Sequence, residues 1–208
     1  SYGDWMSKIY TYNKDKKNWT EVVIPSPGTS YDDLDDWEYD DDGGYGYVEW
    51  DDDIYYSYFT GKDVSLNFDG KILAVAGTGY TDTEEGAMVR MLRLDSSGNW
   101  TLSSDPIDFI DDYVLSAVDI DDDGGHMAVG INSHTDGFDD QGALFVVSAI
   151  SDVDGDSLLD WSNTTGIVEG QNKDDLLGSR VVVSSDGTIA AASSRKGYVS
   201  FYKTLTNQ

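Results

Sequence analysis

Residues 176–202 read LLGSRVVVSSDGTIAAASSRKGYVSFY, and this stretch decides the fold. Val181 and Val183 stand two apart and lead into Asp186-Gly187, a dipeptide that reverses the chain. A small apolar run, Ile189 to Ala192, follows. After Gly197 comes a third run, Tyr198, Val199, Phe201 and Tyr202. Short apolar runs bounded by Asp-Gly and Gly predict three antiparallel strands joined by tight turns.

The same unit occurs twice more. Val64 and Leu66 precede Asp69-Gly70, and Leu73-Ala74-Val75 follows it. Val118 and Ile120 precede Asp123-Gly124, and Met127-Ala128-Val129 follows it. Aligned on Asp69, Asp123 and Asp186, the apolar positions coincide without a gap. A third strand starts after Gly86, Gly142 and Gly197 in turn. An Asn-Trp-Thr-Leu segment at Asn99 and an Asp-Trp-Ser segment at Asp160 mark a fourth, outer strand. Strand units spaced by roughly 50 residues predict an all-β, β-propeller-like array of four-stranded antiparallel blades. The units span 63–110, 115–170 and 176–208 of a single domain.

Residues 1–24 begin part-way through a blade. Lys8 to Tyr12 resembles a third strand, and Asn18-Trp19-Thr20 repeats the fourth-strand pattern. The last unit runs out after its third strand. The N-terminal strands are therefore expected to close the array, either within the chain or in trans on another copy.

Between them, residues 25–62 form an acidic, aromatic insertion or a degenerate blade. Asp32-Asp33, Asp35-Asp36, Asp40-Asp41-Asp42 and Asp51-Asp52-Asp53 alternate with aromatic residues. Trp37, Tyr45, Tyr47 and Trp50 are a candidate platform for stacking against sugar rings.

Thirteen Lys and Arg against 40 Asp and Glu give a net charge of −27. That charge argues against nucleic acid and against an anionic membrane surface, and no membrane insertion is expected because no stretch is long and apolar enough to cross one. It suits cations, cationic surfaces or a high-salt habitat, and carbohydrate surfaces enter as partners only through the aromatic platform. With no cysteine, disulfides and thiol chemistry are excluded. Enzyme signals are poor: the two histidines are His126, read as structural in a second strand, and His134, in an acidic loop with Asp136, Asp139 and Asp140.

The sharpest chemical motif is Asp152-Val153-Asp154-Gly155-Asp156-Ser157-Leu158-Leu159-Asp160. Carboxylates at positions one, three, five and nine, with the Leu158 carbonyl at seven, suit a calcium ion's demand for six to eight oxygens. The alternative is an acidic hairpin tip. Asp119, Asp121 and Asp123 also alternate, and are read as solvated surface. Three N-x-S/T sequons, at Asn18, Asn99 and Asn163, fall at the turn into the fourth strand. They are expected to carry N-linked glycans, against the alternative of an inherited strand-edge motif.

The Leu177-Gly178-Ser179-Arg180-Val181-Val182-Val183 run, the Asp186-Gly187 turn, Ile189 to Ala192 and Gly197 to Tyr202 resemble the FG-GAP propeller repeat of integrin α-subunit heads. The resemblance covers about three quarters of the chain. It implies a propeller stabilised by calcium, although Asp152–Asp160 follows a third strand here and lies between the first two strands in that family. The expected function is an extracellular or cell-surface structural or adhesion glycoprotein that assembles with copies of itself. A lectin-like carbohydrate-binding propeller is the alternative, and a carboxylate-based hydrolase ranks last.

Overall fold

The computed structural model describes residues 9–13, 17–22, 59–80, 85–104, 107–111, 115–150, 160–162 and 167–203. These form fifteen strands and no helix. β1 (Ile9–Asn13) and β2 (Asn18–Val22) make a two-stranded hairpin. Sheet one contains β3 (Phe59–Leu66), β4 (Ile72–Tyr80), β5 (Glu85–Leu94), β6 (Trp100–Leu102) and β7 (Ile107–Asp111). Sheet two contains β8 (Ala117–Ile120), β9 (His126–Ile131), β10 (Ala143–Ile150), β11 (Asp160–Ser162) and β12 (Ile167–Glu169). Sheet three contains β13 (Arg180–Val183), β14 (Ile189–Ser193) and β15 (Val199–Lys203). All strand ladders are antiparallel.

The three repeats share one register. Asp63 pairs with Ala76, Ala117 with Gly130 and Arg180 with Ser193, and each first strand then runs into its turn. The turns are also alike. Gly70, Gly124 and Gly187 have φ of 70°, 76° and 69°, and each donates its amide to the carbonyl of Asn67, Asp121 or Ser184. Only glycine adopts that backbone without strain, which is why the dipeptide marks the turn in sequence.

The outer edge differs from expectation. The fourth strand is split: β6 pairs with the end of β5 and β7 with its beginning, and β11 and β12 divide β10 in the same way. Trp100 and Trp161 mark only the first half. β3 starts at Phe59, inside the stretch assigned by sequence to the acidic insertion. β1 pairs with β2, and no ladder joins that hairpin to β15 among the described residues.

The sheets pack face to face in order. Val118, Ile120, Met127 and Val129 of sheet two bury against Ala74, Ala76, Val89 and Met91 of sheet one. Ala117, Ala128, Leu144 and Val146, on the other face of sheet two, bury against Val181, Ala190 and Ala192 of sheet three. At a rough 25 cal/mol per Å² of apolar surface, these two seams are the main stabilising term. Each seam also passes under a turn glycine. A side chain at Gly124 would overlap Ile72, and one at Gly187 would overlap the His126 ring. Ile72 and His126 hold the same place in successive repeats.

Gly70 and Gly187 thus separate two effects. Their φ values match, but no atom lies within 4 Å of a Cβ at Gly70. Gly70→Ala is expected to cost about 1–2 kcal/mol from the left-handed backbone alone. Gly187→Ala should cost about 1–3 kcal/mol more, from crowding at the seam. Urea denaturation of both variants measures the difference, and equal midpoints would show that the seam is loose.

Candidate functional site

The polar residue opening each turn organises it. Asn67 Oδ1 accepts hydrogen bonds from the amides of Lys71 and Ile72 at 3.0 and 2.9 Å. Ser184 Oγ accepts from the Ile189 amide at 2.9 Å. Asp121, 2% exposed, does the same with Oδ1, accepting from Gly125 at 2.8 Å and His126 at 3.1 Å. The following aspartate adds a second clamp. Asp69, Asp123 and Asp186 each accept, through Oδ1, from the amide two residues on at 3.1 Å. The Ser184 hydroxyl, followed by the Thr188 hydroxyl and amide, holds the Asp186 carboxyl down to about 2.

Sheet two alone adds an imidazole. His126 Nδ1 donates to Asp121 Oδ2 at 2.7 Å. Ligand atoms of Asp121, Asp123 and His126 lie within 4.8 Å of one another, a spacing that fits one divalent cation. The loop forms equally around an amide at Asn67 and a hydroxyl at Ser184, so closing the turn accounts for Asp121 without a metal. His126, read as structural, takes that place: its ring sits over Gly187 and is fixed by Asp121.

The reading of Asp119 and Asp121 as solvated surface is corrected. Asp119 Oδ2 accepts from the Val183 amide of sheet three at 2.9 Å, and its Oδ1 accepts from Ser65 Oγ of sheet one at 2.9 Å. Asp63 Oδ2 likewise accepts from the Val118 amide at 3.0 Å. Of the alternating acids, only Asp123 is exposed. A strand's face is set by its neighbours, and here the neighbour is another repeat's backbone.

At the opposite end of the sheets, the loop after β9 lies beside the segment entering sheet three. The amides of Asp174, Leu176 and Leu177 donate to the carbonyls of Asp139, Asp140 and Gln141. His134, expected among acids, is instead buried: its ring meets Phe145 edge-on at 5.8 Å, and Nε2 lies 3.3 Å from Glu169 Oε1. Asp136, Asp139 and Asp140 point into solvent. Asp175, 1% exposed, is a node the sequence did not reveal. Its Oδ2 accepts from Tyr198 OH at 2.7 Å and from the amides of Gln171 and Asn172 at 2.8 Å.

Asp152, Asp154, Asp156 and Leu158 lie outside the described residues, and Asp160 begins β11. Trp37, Tyr45, Tyr47, Trp50 and Asn163 also lie outside them. Asn18 begins β2, paired with Asn13. Asn99 is exposed in the turn before β6, where Asp95 Oδ1 accepts its amide.

No protein-family model matches the chain, and no curated protein does. Among solved structures, Kuenenia stuttgartiensis hydrazine synthase aligns at 16% identity with a TM-score of 0.45. That alignment covers 72% of this chain, which spans about half of the other (47%).

Tyr198 offers a test of the Asp175 node. The hydroxyl hydrogen bond, ahead of the two amides, holds the Asp175 carboxyl below its usual range, against the opposing effect of burial. A carboxyl lowered in the folded state adds stability above its unfolded pKa, near ~4, and loses it as pH falls through the folded value. Tyr198→Phe is therefore expected to destabilise the protein at neutral pH and to flatten the acid limb below about pH 4. Unfolding midpoints between pH 2 and 7 check this. A constant difference from wild type across that range would contradict it.

Proposed function

We propose that this chain is a non-catalytic structural building block, a run of propeller blades that assembles head to tail with copies of itself. One observation carries the reading: among the described residues, the two outermost sheets each leave apolar side chains exposed on the outer face. On sheet three, Val182 (59% exposed), Ile189, Val199 and Phe201 (71%) face outward. On sheet one, Val64 (60%) and Leu66 do so along β3, while Leu73 and Val75, opposite them on the same face, are buried with Leu92 and Trp100. At the inner seams the equivalent positions are covered: Val118 and Ile120 match Val64 and Leu66, and both are buried.

The two flanks are unlike each other, and each is of the kind that the other type of flank covers inside the chain. Contact between them is heterologous, so it propagates into a ring or filament and not a two-fold pair. Exposed apolar patches of this sort are typical of protein interfaces. The β1–β2 hairpin supports the same reading, because Asn18-Trp19-Thr20 carries the outer-strand pattern that sheet three lacks among the described residues. In this proposal the hairpin completes the β15 edge of the next copy by strand addition. Calcium at Asp152, Asp154, Asp156, Leu158 and Asp160, glycans at Asn18, Asn99 and Asn163, and an extracellular setting belong to the same reading. The FG-GAP resemblance and the acidic surface suit it.

Sedimentation velocity over a wide range of concentration, with and without calcium, tests the proposal. Wild type is expected to grow with concentration. Phe201→Asp, at an exposed site that does not threaten the fold, should weaken assembly by tenfold or more. Asp154→Ala should remove any calcium dependence. A single monomeric species under all conditions would overturn assembly in trans.

A further inference from the structure

The starts of the first strands and the ends of the second strands meet at the end of the sheets away from the Asp-Gly turns. A cavity of about 440 Å³ opens there, lined among others by Lys62, Asp63, Ser116, Asn132, Arg180 and Arg195. The repeat builds it. Lys62, within β3, and Ser116, just before β8, occupy equivalent places ahead of the turn aspartates Asp69 and Asp123, and Asn132 and Arg195 are equivalent places just after β9 and β14.

The charge of this lining runs against that of the chain. Three of 13 basic residues converge on one space in a protein with 40 acidic ones. Elsewhere Lys71 pairs with Asp69 at 3.0 Å and Lys173 with Asp139 at 2.7 Å. Lys62, Arg180 and Arg195 have no ion pair among the described residues. The one carboxylate in the lining, Asp63, is partly used, since its Oδ2 holds the Val118 amide. The half-buried Asn132 keeps its amide free of hydrogen bonds among the described residues. Three cations facing one cavity repel one another unless an anion enters between them. Guanidinium forks suit the two oxygens of a carboxylate or phosphate, and an ammonium supplies a point charge beside them.

We propose that this cavity is a binding site for a small oxyanion, with a phosphate or carboxylate group held by Lys62, Arg180 and Arg195. Ser116 shapes the wall and is not a ligand, because its hydroxyl is spent on the carbonyls of Gly130 and Gly178. Asn132 supplies a neutral donor. The net negative charge disfavours anions everywhere else on the surface, which makes the site selective for place as well as for charge. It is independent of the head-to-tail assembly, since none of its residues belongs to the two apolar flanks.

Calorimetric titration of the full chain with inorganic phosphate, and separately with succinate, tests the site. Ionic strength is held at about 0.15 M with sodium chloride, so that general screening stays constant. Saturable one-to-one binding of either anion is expected. Phosphate alone assigns a phosphoryl ligand, and succinate alone assigns a carboxylate. Arg180→Ala and Arg195→Ala, both at exposed positions, should each weaken binding tenfold or more with unchanged circular dichroism. Lys71→Ala and Lys173→Ala should bind as wild type does. The proposal is overturned if neither anion saturates, or if the two arginine variants bind as tightly as the wild type.

Discussion

Neighbouring repeats in this protein are joined at their first strands by side chains that accept backbone amides. Asp63 takes the Val118 amide, and Asp119 takes the Val183 amide. β3, β8 and β13 lie side by side yet form no ladder with one another. An inner strand pairs on one edge only, and its other edge must still satisfy its amides. A short side chain with two acceptor oxygens does this without forcing the strands into one sheet. The turns continue the arrangement: the Phe68 amide donates to the Asp122 carbonyl, and the Asp122 amide to the Ser185 carbonyl. Packing, turn geometry and the position of the basic cavity all depend on this spacing.

Much of this was legible in the sequence where geometry restricts residue choice. Asp-Gly turns announce themselves because a left-handed backbone demands glycine. The shared register could be read because apolar residues recur without a gap on either side of the turn. Trp100 and Trp161 marked the outer strand because a large ring on an edge strand has one face to bury.

The rest was hidden for physical reasons. An alternating acid looks the same whether it faces water, another repeat's amide or the amides of its own turn, so Asp119 and Asp121 read as surface. The second halves of the outer edge, β7 and β12, are too short to show a period. Asp175 and Tyr198 lie 23 residues apart, with β13 and β14 between them, and meet only once those strands have paired. Lys62 belongs to sheet one and Arg180 and Arg195 to opposite sides of the hairpin in sheet three, and only the stacked sheets bring them to one cavity.

The carboxylate-to-amide bonds join one repeat to the next, and hydrogen exchange at single amides tests them most directly. Wild type should protect the amides of Val118 and Val183, although neither donates within a strand ladder between the first strands. In Asp119→Ala, the Val183 amide should exchange at least tenfold faster, while the Val118 amide, held by Asp63, keeps its protection. Unchanged exchange at Val183 in that variant, or fast exchange at both amides in wild type, would contradict the account.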